Sequence, residues 1–583
     1  MWLSLALNAI VTLLNTKALA APARAPPQDS CGWLAQEWDA IVVGAGTAGI
    51  IVADRLSEAG KKTLLLELGG PSYWITGGRE RPAWLSGTEL SRVDVPGLYL
   101  SIFSERSAPT CPSGVVSAFQ GCAVGGTSAI NAGLYFQPPA SDWDDNRDQG
   151  GWRSADVQAA TERLLARQPS VTNYSQDGRF YLQSGYEAVR KWLVDDAGFE
   201  DVEINDEPDN KDRVFGRPAY NYIGGQRGGP ARTYLQTALA RENFHLQTGA
   251  RVKYINQVGG AASGVVAEVD GVPQNASLAP NGRIIFSAGA LLSPQILMYS
   301  GIGPEAVLQD LASASFTPYV SPSQWVVNPE VGEGLFDNPN TFIELSDPTI
   351  RSYTYPYADP PPRDRDLYLS SRSGPYAFAG QTAVFFGYVP QRDGSRIGVQ
   401  GTIGTAGFGD YTGNSTITLN VYGTSGLYSS GRVVLSGGNF TPGPSSGIYY
   451  ADRRDGMAIA AFIYDIFQAL PPSGPESPAA DGLTPLNIAR NSTVEEIYRY
   501  ITTWSQYAVG TVNHWSSSCR IGKCADADTK VIGTENIYVV DASVLPPLSV
   551  NPQFGAMVAG EKGAERLLAT WSAYYAPAGC GLL

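Results

Sequence analysis

Near its C-terminal end the chain reads NHWSSSCRIGKC, and His514 within that run is one of only two histidines among 583 residues. An imidazole set among amide and hydroxyl side chains is well matched to taking a proton near neutral or mildly acidic pH. Oxidation of an alcohol needs that step, because the hydroxyl proton must leave as hydride departs from carbon. The other histidine, His245, lies in NFHLQTGARV, whose alternation reads as a strand, and it is taken as structural. A second chemical pattern stands near the N-terminus, in WDAIVVGAGTAGIIVADRLSEAGKKTLLLELGG. Gly44 and Gly46 let the backbone approach a pyrophosphate, and Gly49 lets a helix pack closely on a sheet. Glu67 falls about 20 residues on, where a carboxylate accepts hydrogen bonds from a ribose diol. Together these predict a dinucleotide site.

The elements that must hold these groups follow from the pattern of apolar residues. The glycine-rich stretch reads strand, turn, amphipathic helix, strand, which is one βαβ unit with the helix N-terminus facing the phosphate charge. GCAVGGTSAINAGLYF brings a second glycine turn, Gly125 and Gly126, followed by Thr127, Ser128 and Asn131, small residues suited to something flat lying against the backbone. GRIIFSAGALLSPQILMYSGIG reads as a strand through Phe286, a turn from Ser287 to Gly289, and a helix ended by Gly301. NIYVVDASVLPPLSVNPQFGAMVAGEKGAERLL gives a strand to Val540, then Asp541, a proline-braced loop, and a helix beginning near Pro552.

A length of 583 residues, with 43% hydrophobic and 16% charged side chains, suffices for a large core and two or more lobes. The formal charge of -14 disfavours nucleic acid and anionic membrane surfaces as partners. The opening MWLSLALNAIVTLLNTKALA is too short to span a bilayer and ends in a small-residue cleavage pattern, so residues 1–20 read as a signal peptide and the protein as secreted. The six cysteines are Cys31, Cys111, Cys122, Cys519, Cys524 and Cys580. An oxidising compartment allows them to pair, and the short loop between Cys519 and Cys524 marks the first expected disulfide. No set of Cys and His has zinc-site spacing, so no metal is expected. Sequons stand at Asn173, Asn275, Asn414, Asn439 and Asn491.

Taken in order, these stretches resemble the glucose-methanol-choline (GMC) family of flavin oxidoreductases, whose two signature segments correspond to Gly121 through Asp142 and Gly289 through Gly303. Within that family the phrases VGGTSAINAGLYF, NDEPDNKDRVFG, GPARTYLQTALARENF, SGIGP, NHW and NPQ are similar to the flavodehydrogenase domain of fungal cellobiose dehydrogenases. The resemblance implies an α/β fold, with a Rossmann-like FAD-binding domain from residues 38–143, 227–305 and 509–575. It implies a substrate domain on an antiparallel sheet from residues 144–226 and 306–508. FAD would rest on Gly44, Gly46, Thr47, Gly49 and Glu67, on Gly126, Thr127, Ser128 and Asn131, and near Asp541, Pro552 and Gln553. His514 matches the family's catalytic base, Asn551 its second catalytic position, and Asn513 a substrate contact. Trp515 reads as packing. The leader runs almost directly into the dinucleotide unit, so a preceding cytochrome domain is not expected.

The activity so implied is oxidation of a carbohydrate alcohol, anomeric hydroxyl to lactone, with electrons passed to a quinone or other soluble acceptor. An oxidase using oxygen, or a lyase or cyclase keeping flavin as scaffold, is the alternative. Two departures bear on substrate: Val512 replaces a small polar residue before the Asn-His pair, and Gly404 stands where the cellobiose enzymes use an arginine. Tyr353, Tyr355 and Tyr357 read as core or rim, with sugar stacking as the alternative. Runs such as STITLNVYG and GRVVLSG read as antiparallel strands of the substrate lobe.

Overall fold

In the computed structural model, which describes residues 32–105, 108–145, 150–314, 316–471 and 482–573, the first element of the core is the strand β1, Glu37–Val43. Residues 1–20, expected to be a signal peptide, and Cys31 and Cys580 lie outside the described residues. Ala40 through Val43 are buried on both faces, as a continuous apolar run in the middle of a parallel sheet must be. A turn carries the chain into α1 (Thr47–Glu58), which returns it to β2 (Thr63–Leu66), parallel to β1. β3 (Phe244–Gln247) extends the sheet beyond β2, also parallel. β4 (Ala250–Val258), β5 (Ala261–Val269) and β6 (Val272–Phe286) follow as an antiparallel meander. β6 is long enough to serve twice. Its first half pairs with β5, and its last residues lie parallel between β1 and the strand Ile537–Val539. The predicted βαβ unit, the strand ending at Phe286 and the strand before Asp541 thus share one sheet. From β6 the chain turns through Ser287–Gly289 into α2 (Leu292–Tyr299), and Gly301 follows at φ +78°.

The second large sheet carries β7 (Pro339–Ser346), β8 (Gln381–Pro390), β9 (Arg396–Gly404) and β10 (Thr416–Gly423) in the antiparallel order β7-β10-β9-β8. Period-2 alternation sets what each face meets. Ile417, Leu419 and Val421 of β10, with Val399 and Ile403 of β9, join the core beneath α3 (Arg453–Gln468) and α4 (Val494–Thr502). The intervening Gln400, Thr402, Asn420 and Tyr422 face the other way, toward the first sheet's ligand side. A capping box of Thr493 and Glu496 starts α4, each side chain satisfying the other's backbone amide. The run GRVVLSG does form a strand, Gly431–Ser436, but in a separate three-stranded sheet with Glu333–Leu335 and Thr441–Pro444. Sequence alternation finds a strand and not its partners.

The C-terminal helix α5 (Gln553–Ala573) packs directly against α1. Among the described residues no helix is long and apolar enough to cross a membrane. The disulfides described are Cys519–Cys524, as the spacing predicts, and Cys111–Cys122, which spacing did not single out.

Candidate active site

One cavity takes its lining from both sheets, and at its nucleotide end the β1–α1 turn supplies Gly44, Gly46 and Thr47. Gly44 sits at φ +104°, and a Cβ there would come within 2.5 Å of the Ser287 carbonyl oxygen. Only glycine permits both the turn and the approach of the two loops. Gly49 does not line the cavity. A Cβ on it would lie 2.0 Å from the Gly44 carbonyl oxygen, so its part is the close helix–sheet packing that its place in the motif predicts. First-turn amides of α1 have no intrahelical acceptor and suit an anion. Glu67 directly follows β2 on the same cavity; its oxygens accept from the amides of Ala45 and Gly69, both at 2.8 Å, and burial raises its pKa.

The middle of the cavity is bounded by Gly126, Thr127, Ser128 and Asn131 on one side and by Asp541, Pro552 and Gln553 on the other. Asp541 bridges the turn after β6 and its own loop, accepting from the Gly289 amide at 2.9 Å, the Ser293 hydroxyl at 2.6 Å and the Ser543 amide at 2.8 Å. Asn131 Oδ1 accepts from Arg227 at 3.1 Å, and its amide nitrogen donates to Gln553 Oε1. Gln553 is 8% exposed, at the first residue of α5, and its Nε2 has no protein acceptor. A buried donor left open on a cavity asks for a ligand acceptor. With glycines and first-turn amides at one end and this donor in its middle, the lining fits FAD.

At the far end stand Val512, Asn513, His514, Trp515 and Asn551, beneath Gln381, Thr402, Asn420 and Tyr422 of the second sheet. The His514 ring is half-buried, with Nδ1 2.8 Å from Asn338 Oδ1 and Nε2 3.1 Å from Asn551 Nδ2. Tyr422 meets the ring edge-on, centroids 5.9 Å apart. Burial pushes the imidazole pKa down to about 3. The segment is held by Asp337, buried just before β7, which accepts from the His514 amide at 2.6 Å and from the hydroxyls of Tyr449 and Thr511, both at 2.5 Å. Asn513 adopts φ +63°, a left-handed conformation that asparagine tolerates better than other side chains. Asn551 follows the proline-braced loop, and its Oδ1 accepts from Gln400 at 2.6 Å and Tyr422 at 3.3 Å.

Every sequence-assigned site residue except Gly49 therefore lines this one cavity. Asp337, Asn338, Gln400 and Tyr422 were not found from the sequence. The polar positions of TITLNVYG were a usable signal for Tyr422, whereas FDNPN, which carries Asp337 and Asn338, has no distinguishing pattern. Trp515 is 9% exposed and packed as expected, yet it also lines the cavity and its indole N–H lacks a partner. Tyr355 is enclosed by Tyr376 and Phe378, with Tyr353 and Tyr357 beside that cluster, and none of the three reaches the cavity. Val512 does line it, and Gly404 at the end of β9 does not. His245 stays in β3 beside Trp38, ring centroids 6.1 Å apart.

Comparison with known proteins agrees with this geometry. GMC oxidoreductase profiles match residues 38–340 and 427–560. An oxygen-dependent choline dehydrogenase of Rhizobium johnstonii is 30% identical over 287 residues, covering 47% of this chain and 50% of that protein. One from Chromohalobacter salexigens is 27% identical over 91% of this chain and 95% of its own. A chloroplastic fatty acid photodecarboxylase of Chlamydomonas reinhardtii is 26% identical over 95% of this chain and 92% of its own. Among solved structures, formate oxidase of Aspergillus oryzae superposes with a TM-score of 0.71 over 93% of this chain and 99% of that one, at 18% identity, which speaks to fold alone. Two matched profiles spanning most of the chain, and a cavity built to hold the dinucleotide, establish that this chain belongs to the GMC oxidoreductase family and takes FAD as its cofactor.

Proposed function

We propose that the protein is a secreted dehydrogenase that oxidises an alcohol of a small carbohydrate, anomeric hydroxyl to lactone, and hands the electrons to a quinone or other soluble acceptor. The observation that carries the chemistry is the His514–Asn551 pair, 3.1 Å apart and open to the cavity that fits FAD. Bound FAD supplies the two-electron acceptor for hydride. The chain's own part is proton handling and placement. A ring held neutral by burial can take the hydroxyl proton on Nε2, and Asn551, which stands 3.1 Å from that nitrogen and cannot titrate, holds the same oxygen.

A carbohydrate is supported by the roof of this end. Gln381 and Asn420 line the cavity and their buried amide oxygens have no protein donor, acceptors that substrate hydroxyls can match. The phrases shared with fungal cellobiose dehydrogenases support the same class. Val512, which lines the cavity, removes a polar contact there and favours a sugar smaller than, or different from, cellobiose. Export is supported by the leader and by all five sequon asparagines being exposed. The names of the oxygen-dependent choline dehydrogenases favour a second reading of the acceptor, in which dioxygen is reduced to peroxide.

The test is anaerobic mixing of the holoenzyme with a panel of sugars and alcohols while flavin absorbance is followed. A sugar should bleach the flavin and yield its lactone. Bleaching by apolar alcohols alone would reject the carbohydrate assignment, and turnover without bleaching would reject the redox reading. Admitting oxygen or a quinone to the bleached enzyme then separates the two acceptors.

A further inference from the structure

The hydrogen bonds around His514 run in one direction, and an atom that can only accept sets it. Asn338, 4% exposed, lies with its Nδ2 2.7 Å from the main-chain oxygen of Gly423, so Nδ2 is the donor there and Oδ1 is the group that faces His514. An amide oxygen only accepts; His514 Nδ1, 2.8 Å away, must therefore carry the proton. A neutral ring protonated at Nδ1 leaves the lone pair on Nε2, and the group 3.1 Å from it must be the amide nitrogen of Asn551. Asn551 Oδ1 then faces two donors, Gln400 Nε2 at 2.6 Å and the Tyr422 hydroxyl at 3.3 Å. Gln400 is wholly buried and stands opposite Tyr422 in the β9–β10 register, while Gly423, where the relay begins, is the next residue of β10. Turning the Asn551 amide over would set oxygen against the Nε2 lone pair and NH2 against two donors.

We propose that Gln400 and Tyr422 are positioning residues that hold the Asn551 amide with its N–H, not its carbonyl, toward the reacting oxygen, and that Asn338 holds His514 as the Nδ1–H tautomer. The substrate oxygen then meets one acceptor, Nε2, which receives its proton, and one donor, the Asn551 N–H, which supports the negative charge developing as that proton leaves. This rests on His514 as the base of the proposed reaction, while the tautomer itself is read without any substrate.

With only two histidines in the chain, nitrogen NMR of the holoenzyme labelled at histidine resolves both rings, and His245 serves as the internal sign of a folded protein. The wild-type His514 should show a pyrrole-type Nδ1 and a pyridine-type Nε2. Gln400→Glu, whose carboxylate cannot donate, should leave the Nδ1–H ring that Asn338 sets, release the Asn551 amide and slow substrate-driven flavin reduction about 100-fold, with KM changed much less. Tyr422→Phe, which leaves the Gln400 donor, should keep the tautomer and slow the reaction less. If Gln400→Glu does not fold, Gln400→Met removes the same donor at similar volume. An Nε2–H ring in the wild type, or a folded Gln400 variant with an unchanged reduction rate, overturns the proposal. Either result would leave the substrate assignment standing, because that rests on which compounds bleach the flavin.

Discussion

His514 is kept ready to accept a proton by exclusion of water, since its ring nitrogens meet amides and no carboxylate that would hold a proton on it. Burial lowers its pKa from the usual 6.5 to about 3, so the ring stays neutral through the mildly acidic range. The acid limb of the flavin-reduction rate is therefore expected below about pH 4 and not near 6.5, measurable by stopped-flow reduction in a pH series. A limb centred between 6 and 7 would count against it. The same shift acts on stability with a definite sign. The unfolded chain protonates its histidine below 6.5 while the folded ring does not until near 3, so stability falls as pH drops through that window. His514→Ala should slow reduction by about 10²–10⁴-fold while the flavin stays bound, because no nucleotide-end group touches the ring. Unimpaired reduction in that variant would remove His514 from the role of base.

Two turns do the positioning at the scale of elements. At the β1–α1 turn, a Cβ on Gly44 would meet Ser287 and Ala288 backbone atoms at 2.5–2.9 Å, and backbone cannot yield as a side chain can. Gly44→Ala should cost about 1–3 kcal/mol through strain and forced displacement, seen as a lower Tm and as reduced FAD occupancy after purification. At the other turn, Asp337 ties the 511–514 segment to the start of β7 through the His514 and Asn513 amides and the Thr511 and Tyr449 hydroxyls. Burial raises the pKa of Asp337, and those donors oppose the rise. Asp337→Ala leaves the donors without their acceptor and should destabilise the fold by about 2–4 kcal/mol. Denaturant unfolding reads that cost, and a fall in kcat shows whether the His514 backbone has moved. An unchanged melting curve would mean the segment is held by other contacts.

Across the molecule, the site depends on a buried cluster behind Asn551 that joins distant parts of the chain. Asp142 accepts from the Ser549 amide at 2.7 Å and its hydroxyl at 2.5 Å, and that hydroxyl also meets Tyr388 and Ser425 of the second sheet region at 3.1 and 2.9 Å. Burial pushes Asp142 up to about 7, against the pull of Ser549 and of Arg396 from β9. Its sign is opposite to that of His514: the unfolded carboxyl ionises above about 4, the folded one only near 7, so stability is lost as pH rises through this window. Glu344 in β7, raised by burial to about 7, adds to the same trend. Asp142→Asn, which does not titrate, should flatten the dependence of Tm on pH between 4 and 7. An identical slope in wild type and variant would place the pH sensitivity elsewhere.

By itself, the sequence determined the groups that chemistry cannot do without and the local backbone that presents them. Gly44, Gly46 and Glu67 declare a dinucleotide turn because strand, turn and helix periodicities are local, and His514 stands out because the chain has almost no other imidazole. The start of α5 next to Asn551 follows from proline and helix patterning alone. What only the tertiary structure decided is how those groups are held. Asn338, Gln400 and Tyr422 lie on or beside β7, β9 and β10, far from His514 in the chain, and they reach it through sheet register, which side-chain alternation constrains but does not specify. The direction of each hydrogen bond around the ring is likewise a property of atoms brought together by long-range pairing, and it starts at one main-chain oxygen that has no choice but to accept.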